Sequence, residues 1–112
     1  MKDHLILFRE PDGRMDKHPE EELKAHRAHW AAWLNKWQVE GRLTGGNSLT
    51  LEGRLITGEG STITNSTHKV GTEIVGGFLL LKARNLDEAA EIISSCPIFE
   101  SSGYAEVRQL SS

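Results

Sequence analysis

The chain has a single cysteine, Cys96, in 112 residues. An internal disulfide is therefore excluded, which fits a reducing compartment. Cys96 stands before Pro97 at the end of an apolar helical pattern, and free cysteine is among the most often buried residue types, so it reads as a packed thiol rather than a nucleophile. A surplus of basic charge is missing too: 13 Lys and Arg face 16 Asp and Glu, net −3, with the basic residues scattered. A surface that tracks phosphates needs a basic stripe, so no nucleic-acid partner is expected. No segment approaches the roughly 18 consecutive apolar residues of a membrane span. "MKDHLILFRE" has only a short apolar run and no small-residue cleavage site, so no secretory signal is read and a cytoplasmic location is expected. The glycine-rich centre lacks both Gly-x4-Gly-Lys-Ser/Thr and Gly-x-Gly-x-x-Gly, which argues against a phosphate-cradling loop. With no haem-ligand or flavin motif either, no cofactor is expected.

What is present is a globular balance, 38% hydrophobic and 26% charged, at a length that buries one core, so residues 1–112 are expected to form one domain. "HLILFRE" reads as a first strand, and the Pro-Asp-Gly after it as a turn. Pro19, the acidic Glu20 to Glu22 and the stop at Gly41 delimit a helix over about 19–40. Nine of the eleven glycines fall between Gly41 and Gly77, where "GRLITG" and "STITNST" read as hairpin strands. "TEIVGGFLLLKA" reads as a strand apolar on both faces. "NLDEAAEIISSCP" reads as a second helix, with Asn85 as N-cap, Glu88 as in a capping box and Pro97 as terminator. "YAEVRQL" closes as a strand.

The order β-α-β-β-β-α-β reduces, with one excursion, to the split-βαβ or ferredoxin-like α+β pattern: an antiparallel sheet with two helices on one face. Both faces of the first and third strands carry large apolar side chains. Each is worth roughly 1.5 to 3 kcal/mol when buried, so a homodimer stacked through the open sheet face is expected.

The first helix carries "KAHRAHWAAWLNKW", with two of the five histidines and all three tryptophans. At about 100° per residue and with Trp30 as origin, His26 falls near −40°, Trp33 near −60°, Trp37 near −20° and His29 near −100°. His26 thus lies on the apolar stripe and His29 at its border. A packed seam accounts for the tryptophans. An imidazole there needs a partner for each ring nitrogen, or a cavity. The bearings of His26 and His29 diverge and no third ligand stands nearby at ligand spacing, so no metal site is read. Glu22, one turn before His26, either orients it or forms an exposed i,i+4 pair with it, the commoner outcome.

"HLILFRE", "AHRAHWAAW", "GRLTGGNSL", "EIVGGFLLLKARNLDEAAEIISSCP" and "AEVRQL" together resemble the YCII-related proteins, in the branch marked by an Asp-Gly-Pro-Phe motif. The resemblance implies a ferredoxin-like subunit and a dimeric α+β barrel. It carries over His26 as the histidine of a pocket between the first helix and the sheet, paired in relatives with an Asp. Here Asn65 to His68, "NSTH", stands where that motif belongs, so Asn65 replaces the carboxylate. Asn cannot stabilise an imidazolium by charge, which leaves Glu73 or Glu22 to supply the acid. Trp30 and Trp33 are expected to roof a small-molecule pocket, with Asn65 and His68 as further ligand-binding candidates; a solvated loop equally accounts for His68. Two functions follow as expectations: a His26-based acid/base enzyme on a small aromatic or enolisable molecule, or a non-catalytic ligand-binding or regulatory dimer; a third reading is a structural dimer with no ligand, in which His26 is a satisfied core histidine.

Overall fold

"HLILFRE" lies in β1 (Lys2–Pro11), which alternates strictly, with His4, Ile6, Phe8 and Glu10 buried on one face and Leu5, Leu7 and Arg9 half-buried on the other. The computed structural model describes residues 1–11, 19–69 and 71–111, with only the backbone of Ser101. The turn expected at Pro-Asp-Gly falls largely within residues 12–18, outside the described residues. The other elements are α1 (Glu20–Val39), β2 (Leu43–Ser48), β3 (Leu55–Thr57), β4 (Thr62–Thr64), β5 (Glu73–Ala83), α2 (Leu86–Ile93), a 3-10 helix (Pro97–Ser101) and β6 (Tyr104–Gln109). Four strands form an antiparallel sheet in the order β2-β5-β1-β6, and β3 pairs with β4 in a separate ribbon.

Both helices pack on the face of Ile6 and Phe8. The core there joins Leu79, Leu81 and Ala83 of β5 to Trp33 of α1, Ala89, Ile92 and Ile93 of α2, and Cys96 and Ile98 beyond it. Leu5, Leu7, Val75, Phe78 and Leu80, half-buried, alternate onto the opposite face. This is the expected α+β arrangement, two helices on one side of an antiparallel sheet.

The helix ends explain themselves locally. Gly41, at φ +73°, closes α1 in a Schellman motif: its N–H donates to Gln38 O at 3.0 Å, and Arg42 N–H donates to Trp37 O at 2.9 Å. Asn85 caps α2 by accepting from Glu88 N–H at 2.8 Å. The reciprocal half of the expected capping box is redirected. Glu88 instead accepts from Arg84 N–H at 3.0 Å and from Arg42 Nη1 at 2.6 Å, tying α2 to the start of β2. The Arg84 backbone N–H, then Arg42, hold its carboxyl down to about 2.

One strand differs from the sequence reading. "LTGGNS", which the sequence reading assigned to no strand, is the edge strand β2, with a bulge between Leu43 and Gly45. It lacks the β-branched alternation that signals a strand because its backbone must press close to β5. Gly46 sits at φ +139°, where an added Cβ would overlap Phe78 O and Leu79. The two hairpin strands read from "GRLITG" and "STITNST" make only the small β3-β4 ribbon, whose facing Ile56 and Ile63 are exposed. Gly46→Ala is therefore expected to cost about 1 to 3 kcal/mol of stability by overpacking, measured by urea denaturation against Gly45→Ala, whose Cβ would meet only the side chain of Leu80.

Candidate functional site

The seam of α1 faces the sheet. Trp30 meets Phe8 edge-on, ring centroids 5.4 Å apart, and meets Trp33 edge-on at 6.0 Å. Trp33 is buried and donates its indole N–H to Ser95 Oγ at 3.0 Å, which fixes α1 against the end of α2. One turn before Trp30, His26 is buried at the same interface, 8% exposed.

The carboxylate beside His26 is Glu100. Its Oε1 lies 3.0 Å from His26 Nδ1, while His29 Nδ1 lies 3.1 Å from Oε1 and 3.0 Å from Oε2. The other nitrogen of His26, Nε2, lies 3.0 Å from Trp30 Nε1. This chain fixes the tautomer. Indole N–H is only a donor, so Nε2 must carry a lone pair, and the ring proton sits on Nδ1 and points at Glu100. His26 is thus held as a neutral imidazole with an acid behind it.

Local sequence explains how Glu100 arrives there. Pro97 opens the 3-10 helix, Cys96, Pro97 and Ile98 are buried beneath it, and Ser102 turns the chain at φ +61°. Gly103 then donates to Ile98 O at 3.2 Å, at a spot where a Cβ would overlap Ile98. The anchored turn presents Glu100 outward, its side chain 44% exposed, against the first half of α1. Burial pushes the Cys96 thiol up to about 12, so it serves as an anchor with no thiolate character at neutral pH.

The remaining candidates lie elsewhere. Glu73 accepts from the Tyr104 hydroxyl at 2.6 Å, beside the Arg9–Glu106 pair. Unbroken alternation from Leu79 would have put Glu73 on the helix face. The register instead slips between Phe8 and Arg9, where Gly77 and then Val75 are the partners, so Ile74 faces the helices with Glu10 and Glu73 faces the open side. Asn65 and His68 are exposed between β4 and β5, in a stretch whose Thr67 packs on Gly53. Glu22 is exposed on the first turn of α1.

The structure therefore brings His26 and Trp30 together, seats Trp33 beneath them, and adds Glu100 and His29, which the sequence reading did not assign. A further buried carboxylate, Glu10, ends the helix-facing row of β1 over Gly76, where a Cβ would overlap it. A cavity of about 320 Å³ opens among Trp37, Arg42, Glu88, Glu91 and Ile92. It sits toward the far end of α1, since the 11 steps along the helix from His26 to Trp37 rise about 16 Å.

The hydrogen bond from His29, and then that from His26, hold the Glu100 carboxyl below the usual carboxylate range against a smaller opposing effect of burial. A depressed carboxyl contributes stability above its unfolded-state pKa and loses it as pH falls through the folded value. Carboxyl ¹³C titration should show Glu100 protonating below the exposed glutamates, and His29→Ala should move it back toward them. An unshifted Glu100 would contradict the arrangement.

Comparison with known proteins agrees with this architecture. No curated protein sequence matches the chain. Among solved structures, it is similar to 5-chloro-2-hydroxyhydroquinone dehydrochlorinase from Burkholderia phenoliruptrix, in complex with 2,5-dihydroxybenzoquinone. The TM-score is 0.58 at 17% identity, covering 97% of this chain and 93% of that one. The YCII-related domain matches residues 4–111. With the ferredoxin-like sheet, the two helices and this match over nearly its whole length, the chain belongs to the YCII-related domain family.

Proposed function

We propose that this protein is an enzyme in which His26 acts as acid and base on a small aromatic or enolisable molecule. The observation that carries this reading is the His26 Nδ1 to Glu100 Oε1 contact of 3.0 Å. It provides the acid that Asn65 cannot. A substrate proton taken up at Nε2 makes an imidazolium, and the carboxylate behind Nδ1 stabilises that charge and keeps the ring aligned. The Phe8, Trp30 and Trp33 rings give the site an aromatic wall. The similar dehydrochlorinase, named for a chlorinated hydroxyhydroquinone, supports a hydroxylated aromatic as the substrate class.

The working form we infer is a homodimer closed through the face of Leu5, Leu7, Phe78 and Leu80, acting in the cytoplasm without a cofactor. Covering those side chains, which no helix packs against among the described residues, favours a second sheet. A ligand-sensing module is the alternative. The Trp30 N–H on Nε2 favours it, because the basic nitrogen stays occupied until something displaces the indole.

Turnover of a panel of hydroxylated aromatics separates the two. As an enzyme, the protein should lose about 100-fold or more in kcat/KM with His26→Gln and about 10-fold or more with Glu100→Gln, within the range of general acid/base catalysis. Turnover unchanged in a folded His26→Gln variant would sink the enzymatic reading.

A further inference from the structure

The contact between Trp30 and His26 joins a donor to an acceptor. Trp30 Nε1–H and His26 Nε2 are 3.0 Å apart, one able only to donate and the other, in this tautomer, only to accept. A hydroxyl group is the simplest chemistry that satisfies both at once, because its oxygen accepts while its proton is donated. From this pair we infer that the site binds a phenolic or enolic hydroxyl inserted between Trp30 and His26, with the Trp30 indole N–H stabilising the oxyanion formed when His26 takes the proton. This inference rests on the acid/base reading of His26.

The step balances. The O–H bond breaks, the proton passes to Nε2, the electron pair stays on oxygen, and the Trp30 N–H then donates to a full negative charge. Such a donor holds the hydroxyl oxygen in the bound state and gains further as charge develops on it, so its effect falls on binding as well as on the transition state. Insertion needs the two nitrogens to part to about 5 Å, so that oxygen lies at ordinary hydrogen-bond distance from each.

The surroundings permit this movement. Trp30 is only half-buried, whereas Trp33 beside it is buried and bonded to Ser95. The edge-on contacts with Phe8 and Trp33 leave a flat wall against which an aromatic ligand can lie. Glu100 on the far side of the imidazole selects by charge. A carboxylate ligand would accept from Trp30 but bring no proton for Nε2, and it would add a second negative charge near the first.

The test uses the ¹⁵N-labelled full chain, whose three tryptophans give three indole N–H signals, with hydroquinone as the ligand and benzoate as its anionic control. The expected result is a saturable shift of the Trp30 indole signal with hydroquinone and none with benzoate. Trp30→Phe, which keeps a ring and removes the N–H, should weaken hydroquinone binding about tenfold or more, as should His26→Gln. If hydroquinone binding is lost in His26→Gln but unchanged in Trp30→Phe, or saturates without moving the Trp30 signal, the inserted-hydroxyl inference falls while the acid/base reading of His26 stands. Hydroquinone that does not bind, or that binds both variants as tightly as it binds the unaltered chain, overturns the two together.

Discussion

A buried imidazole has two nitrogens to satisfy, and around His26 the local structure answers that requirement. A neutral ring offers one donor and one acceptor, so a compatible site needs an acceptor on one side and a donor on the other. Glu100 and Trp30 supply them, each at 3.0 Å. Both partners depend on separate pieces of packing. Trp30 is steered by the aromatic row that α1 lays on Phe8, and Glu100 is carried by a 3-10 helix anchored through Cys96 and Ile98. Removing either partner leaves a polar group unsatisfied at an apolar interface, at a cost of about 1 to 3 kcal/mol. The geometry that stabilises the helix–sheet interface is thus the geometry on which the proposed proton transfer rests.

The sheet separates two kinds of surface. Its helix face carries the core and the His26 chain. Its open face pairs an apolar patch with a polar corner made by Arg9, Glu73, Tyr104 and Glu106. Glu73 raises the Tyr104 phenol by accepting its hydrogen bond. That corner stands across the sheet from His26.

Much of this was legible in the sequence. The three-and-four spacing of His26, Trp30, Trp33 and Trp37 fixed which side of α1 meets the sheet, and Asn85 and Gly41 marked helix ends that the backbone bonds confirm. Three features were not legible, for different reasons. The β2 strand hid behind glycines that serve close backbone approach rather than turning. Glu73 changed sides because a register slip, invisible to alternation, sits between it and Leu79. Glu100 is 74 positions from His26, so no local spacing could reveal it. Topology held a clue, however. Because β6 runs antiparallel to β1 and begins opposite Arg9, the turn before β6 must lie where β1 ends and α1 begins.

The contacts of His26 place its ring proton on Nδ1 toward Glu100 and its lone pair on Nε2 toward Trp30. Long-range ¹H–¹⁵N correlation of the histidine side chains at neutral pH reads this directly. A protonated Nδ1 and a bare Nε2 in His26, a preference that Glu100→Gln weakens, is the predicted result. A proton found on Nε2 would contradict this arrangement.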